Sequence, residues 1–184
     1  TDTRGRMINK WENGQSILSL PAGATATGSV PGQRTILRSF NGTIWACYLK
    51  TVAGRKDVYV AYSTNNGKTW TEQAAGTDGT NNMNSPSLAI DSKGYVYCCW
   101  QNGAGSMAIQ YSRRDPIAGT WAALTQIDAT NKTDVTMFID KYDNVHFACY
   151  LNTGTYSYKK LTSAGLGAAE TIGNASDGTV NIQV

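Results

Sequence analysis

The chain has little charge, one histidine and no helical stretch of useful length. Charged residues make up 16% of its 184 residues, and the formal net charge of +3 comes from scattered positions. Arg4, Arg6 and Lys10 gather near the start and Arg113 and Arg114 form a pair. That is too little for the basic footprint of a nucleic-acid-binding protein, so no nucleic-acid partner is expected. No run of eighteen apolar residues occurs, so no membrane-spanning helix is expected. The nearest thing to a helix, residues 165–170, is short and broken by glycine. There is no serine–histidine–acid order, no glycine-rich phosphate loop and no dinucleotide fingerprint. No cofactor is therefore expected.

Cysteine is also scarce. Cys47, Cys98, Cys99 and Cys149 all fall inside alternating apolar runs, a placement that predicts buried thiols rather than a disulfide framework. Adjacent Cys98 and Cys99 point to opposite faces of a strand, which argues against their binding one metal ion. His146 sits in "NVHFACY" among apolar neighbours and reads as a packed or half-exposed residue. No metal site is expected. Only a structural calcium at "DSKG" or "DKYDN" comes into view, and those loops offer few carboxylates.

What the chain does have is 41% apolar residues, 19 glycines, 10 tyrosines and 5 tryptophans, a mixture suited to short strands and tight turns. Three segments repeat: "FNGTIWACYL", "SKGYVYCCWQ" and "KYDNVHFACYL". Gly42, Gly94 and Asn144 align at the turn, 52 and 50 residues apart, and Cys47, Cys99 and Cys149 then align within the strand. A strand-like run precedes each turn ("RTILRSF", "SPSLAID", "DVTMFID") and two more follow it. The third strand is weakest in the last repeat, at "GTYSYKK". The pattern predicts an all-β chain, a β-propeller of four-stranded antiparallel blades. Complete blades are expected at 33–76, 85–128 and 133–173, with partial blades at 5–20 and 179–184. Self-association, or the remaining blades of a longer chain, would complete the ring.

Residues 62–70, "YSTNNGKTW", join the third and fourth strands of the first repeat. Asn65 can accept backbone N–H bonds, Gly67 supplies a geometry denied to other residues, Thr69 can tie back, and Trp70 is expected to cover the gap between sheets. The stretch resembles the Asp box of sialidase-like propellers, Ser-x-Asp-x-Gly-x-Thr-Trp, with Ser63, Gly67, Thr69 and Trp70 matching and Asn65 in place of the aspartate. A degenerate copy, "YSRRDPIAGTW", retains Ser112, Gly119, Thr120 and Trp121 around a longer loop.

That resemblance implies a retaining glycosidase site on the propeller axis, with an arginine clamp for a carboxylate, a tyrosine–glutamate nucleophile and an aspartate acid/base. Arg34 stands near the place of the first clamp arginine, but Thr35 and Ile36 follow it where Ile-Pro would be expected. Arg38 is a second candidate by proximity. Asp57 is a candidate for the acid and reads more simply as a solvated pair with Lys56. Nothing in the second and third repeats matches the other clamp residues. Asp91 and Asp140 recur once per repeat and read as turn caps.

Trp45 and Trp100 read as packing between sheets, whereas Trp11, Tyr95 and Tyr142 are the candidate glycan contacts, as aromatic platforms near many amides. The expected function is a non-catalytic glycan- or protein-binding or structural module of an extracellular or virion-associated assembly. The alternatives are a fragment of a sialidase-type hydrolase, and a shell or fibre subunit.

Overall fold

Alternation of apolar and polar residues, punctuated by tight turns, leads the chain into three successive antiparallel meanders. The computed structural model describes residues 24–25, 34–103, 107–129, 132–151 and 154–174. Trp11 and the expected partial blades at 5–20 and 179–184 lie outside the described residues.

The first sheet contains β1 (Ala24–Thr25), β2 (Ile36–Arg38), β3 (Ile44–Val52), β4 (Arg55–Ser63) and β5 (Thr71–Gly76). The second is β6 (Met83–Ile90), β7 (Val96–Asn102), β8 (Ala108–Arg114) and β9 (Thr125–Asp128). The third is β10 (Lys132–Ile139), β11 (Val145–Leu151), β12 (Thr155–Thr162), β13 (Gly165–Leu166) and β14 (Glu170–Asn174). In each sheet the strands pair in chain order around the central two, giving a four-stranded meander that resembles a propeller blade.

Several strands differ from expectation. The first strand of the first sheet is in two pieces on β3, with Thr25 opposite Leu49 and Ile36 opposite Ala46. The fourth strand of the last sheet is likewise divided, β13 and β14 both pairing with β12. In the second sheet the fourth strand is late, and Trp121 makes only an isolated bridge to Arg114. The weakly patterned "GTYSYKK" is a full strand, because every residue from Thr155 to Leu161 has a partner on β11.

The sheets stack through two seams. β6 lies against β3 and β4, and β10 lies against β6 and β7. Trp45, Cys47, Leu49, Val58 and Val60 of the first sheet meet Leu88, Val96, Cys98 and Trp100 of the second. On its other face the second sheet presents Tyr97, Cys99 and Ile109 to Val135, Met137, Phe147 and Cys149 of the third. Each fully buried side chain of this size contributes about 2 kcal/mol. Trp100 is completely buried because position 76 is glycine; a Cβ there would lie 2.3 Å from the indole. All four cysteines are free and buried.

The ladder corrects the alignment of the third repeat. Five residues separate Ile90 from its partner Val96, and five separate Ile139 from Val145. Gly94 (φ 86°) therefore corresponds to Asp143 (φ 63°), not to Asn144. The one-residue offset places Cys149 at the position of Trp100, whereas Cys47 and Cys99 are equivalent. With a side-chain period of two, that offset reverses the face. Cys47 and Cys99 point forward along the stack and Cys149 points back, so each seam receives two thiols: Cys47 with Cys98, and Cys99 with Cys149.

Candidate ligand-binding clefts on the turn face

The turns β2–β3, β6–β7 and β10–β11, together with the β4–β5 and β8–β9 connections, all lie at one end of the sheets. Aspartates build two of them. Asp91 Oδ1 accepts the N–H groups of Lys93 (3.0 Å) and Tyr95 (2.8 Å), and Asp140 Oδ1 accepts those of Tyr142 (2.8 Å) and Asn144 (2.9 Å). Such caps hold the loops without help from a ligand. Among the described residues, no three His, Cys, Asp or Glu side chains are grouped to hold a metal ion.

The turn after β4 is closed by its own side chains. Ser63 Oγ donates to Asn65 Oδ1 (2.9 Å) and accepts the Gly67 N–H (2.8 Å), and Asn65 Oδ1 accepts the Thr69 N–H (2.9 Å). Asn65 Nδ2 donates to Thr69 Oγ1 (2.8 Å), and Gly67 takes φ 84°. Trp70 folds back to donate its indole N–H to the Gly67 carbonyl (3.1 Å), so it ties the turn as well as flanking the strand.

The turn after β8 is built differently. Ser63 pairs with Ile44, whereas the equivalent partner of Val96 is Arg114; Ser112 lies two residues earlier, opposite Cys98. Ser112 Oγ donates to the Ala122 carbonyl (2.8 Å), and Asp115 caps Ile117 and Ala118 instead. Gly119 does take a positive φ, 71°. Trp121 leaves its buried indole N–H without a partner.

A cleft opens over each seam at this end. The first, of about 430 Å³, lies between the first two sheets and is lined by Phe40, Trp45, Tyr62, Lys93 and Arg114, among others. Arg114 is buried, with its guanidinium over Trp45 (5.2 Å) and Tyr62 (5.1 Å), and its Nε donates to Gln73 Oε1 (2.8 Å). The second cleft, of about 530 Å³, lies between the second and third sheets and contains Tyr95, Tyr97, Tyr111, Arg113 and Tyr142. Arg113 is exposed and stacks over Tyr95 at 4.4 Å. Burial pushes the Tyr97 hydroxyl up, and the Tyr97 hydrogen bond raises Arg113 further above its ordinary range. Ser92 of the second sheet gives its N–H (2.8 Å) and hydroxyl (2.7 Å) to Asp143 of the third, which holds that carboxyl below its usual range.

Tyr95 and Tyr142, chosen from sequence, thus line one cleft, and Tyr142 is 73% exposed. Arg113 and Tyr111 were missed; the alternation of "IQYSRR" places both on the forward face, but only sheet stacking brings that face into a cleft. Arg34 is exposed just before β2, and its carbonyl accepts the Leu88 N–H at 2.8 Å. Asp57 is not a solvated partner of Lys56. It is buried and accepts two bonds from Arg55, at 3.2 and 3.3 Å, because residues two apart share a strand face and adjacent ones do not.

Two polar groups stand outside the clefts. Ser85 (φ 51°) and Asp134 (φ 49°) occupy bulges on β6 and β10, and Ser85 Oγ donates to Asp134 Oδ1 at 3.4 Å. Burial raises the Asp134 carboxyl above its ordinary range. On the face of the third sheet away from the second, His146 stacks on Phe138, and its ring nitrogens reach Tyr158 Oη (2.7 Å) and Asp140 Oδ2 (3.0 Å).

No family model matches the chain, and no curated protein matches it. Solved structures share its fold. A protein of unknown function from Dyadobacter fermentans superposes with a TM-score of 0.61 at 15% identity, covering 79% of this chain and 43% of that one. The catalytic domain of a Coprinopsis cinerea GH62 α-L-arabinofuranosidase gives 0.53 at 12%, covering 84% and 54%. A mutant Trypanosoma rangeli sialidase displaying trans-sialidase activity gives 0.51 at 11%, covering 77% and 30%. The chain therefore spans about half or less of these structures. Most of the named neighbours are carbohydrate-active proteins, and the likeness at such identities is one of fold.

Proposed function

We propose that the protein is a glycan-binding module whose ligand sits in the cleft between the second and third sheets. The observation that carries this reading is the gathering of Tyr95, Tyr111 and Tyr142 around an exposed arginine in one open cleft. Aromatic faces stack on the apolar faces of sugar rings, while Asn144, Ser163 and Arg113 offer directional bonds to hydroxyls. In this reading the three sheets are consecutive blades of a sialidase-like β-propeller, with the Asn65 turn a variant Asp box. Further blades or self-association complete the ring. The packing of β6 against β3 and β4, and of β10 against β6 and β7, supports that arrangement. An extracellular or virion-associated assembly is the setting in which such a module meets glycans. A glycan array tests the reading: binding to at least one glycan class should be lost with Tyr142→Ala while the fold is retained. A protein that binds no glycan would end it.

A second reading, a piece of a glycoside hydrolase, is favoured by one observation. Asp134 is a carboxyl raised by burial, on a strained bulge of the strand nearest the preceding sheet. Hydrolysis of an aryl glycoside that disappears in Asp134→Asn would support it. Equal turnover by that variant would remove it.

A further inference from the structure

The two clefts are neighbours. Asp91 and Lys93, on the β6–β7 turn, line both of them, so the turn of the second sheet is a saddle between the two cavities. Packed sheets lie about 10 Å apart, so neighbouring clefts are offset by more than one sugar ring. Three cations follow this path: Arg114 in the first cleft, Lys93 on the saddle and Arg113 in the second. Among the described residues, none of the three forms an ion pair with a carboxylate. The two carboxylates on the path are engaged by turn donors, Asp91 by Lys93 and Tyr95 N–H and Asp143 by Ser92. Lys93 and Arg113 are exposed, so their remaining donors face the groove.

We infer that the two clefts form one continuous groove for a linear acidic polysaccharide, with carboxylate or sulfate groups meeting Lys93 and Arg113 and sugar faces meeting Tyr95 and Tyr142. This rests on the glycan reading above and adds chain length and charge to it. The charge-assisted bonds explain why arginine and lysine, rather than further amides, stand along the path.

The test is titration calorimetry of the full chain with linear tetrasaccharides. The panel holds oligogalacturonate and hyaluronan as carboxylated probes, carrageenan as a sulfated probe, cellotetraose as a neutral one, galacturonic acid as a monomer and octathymidylate as a polyanion without sugar chains of this kind. At least one acidic tetrasaccharide should bind, the monomer and cellotetraose far more weakly, and Lys93→Ala and Arg113→Met should each weaken binding about tenfold, the loss of one charge-assisted bond. The carboxylated and sulfated arms tell which oxyanion is preferred. Equal binding of cellotetraose with no effect of Lys93→Ala would overturn the acidic-chain inference and leave the glycan reading standing. No binding by any saccharide would remove both, and tighter binding of octathymidylate than of every saccharide would reassign the groove to nucleic acid.

Discussion

The two seams use the same ladder positions with opposite allocations of bulk. In the first, Trp100 fills the centre and Gly76 makes room for it. In the second, the equivalent positions are Cys149 and Asp128, a small thiol facing a carboxylate; burial, with a smaller push from that carboxylate, holds the thiol up to about 11 against the lowering influence of Lys132 and Ser157. Around Asp128 the second seam is polar: Lys132 lies 3.6 Å from it, and Lys159 Nζ donates to the Ile127 carbonyl at 2.7 Å. The arginines differ likewise. Arg114 is packed into the first cleft as part of its wall, and Arg113 is exposed in the second, stacked on Tyr95. A repeated backbone can thus carry an apolar, tightly filled seam beside a more polar one.

That contrast can be broken at its strongest point first. Gly76→Ala forces a Cβ into the Trp100 ring and should lower unfolding free energy by about 3 kcal/mol, measured by urea denaturation. Next, Arg114→Ala should cost about 2 kcal/mol, because it leaves Gln73 Oε1 without that donor and empties the space against Trp45 and Tyr62, while Arg113→Ala should cost less than about 1 kcal/mol. Similar losses for the two arginines would erase the distinction between a packed wall residue and an exposed one. Asn65→Ala should cost about 1 kcal/mol by releasing the turn, and Asn65→Asp should be close to neutral.

The smallest effect concerns acid. Asp143 is held below the ordinary carboxylate range by Ser92, so its bond across the second seam contributes fully above the unfolded value, about 3.9, and is lost as pH falls through the lower folded value. Asp134 has the opposite sign: its raised carboxyl favours the folded state in acid, and that contribution disappears as pH rises through the folded value. Asp134→Asn should therefore stabilise the protein at neutral pH and do little at strongly acid pH. Thermal melts across pH, with and without Ser92→Ala and Asp134→Asn, check both signs. A Ser92→Ala variant with an unchanged acid profile would deny the Asp143 bond its role.

Much of the local architecture was legible because it is written in short-range chemistry. The turn of Ser63, Asn65, Gly67, Thr69 and Trp70 closes on itself within eight residues, and Asp91 and Asp140 cap loops of five. Asn144 was mistaken for the turn residue because both asparagine and aspartate tolerate positive φ, and only the pairing of Ile139 with Val145 identifies Asp143. The one-residue difference also turns Cys149 to the face opposite that of Cys47 and Cys99. Asp57 was read from its neighbour Lys56, when the strand had already put Arg55 beside it.

The amino-acid order by itself determined the strands, their hairpins and the side-chain caps, since each depends on groups a few residues apart. Tertiary stacking alone decided that Tyr95 and Tyr142 would line one cleft, that Arg114 would be buried and Arg113 left exposed, and that Lys93 would line two cavities. Those relations join residues about fifty positions apart, and they exist only once neighbouring sheets settle face to face and exclude water from the seams between them.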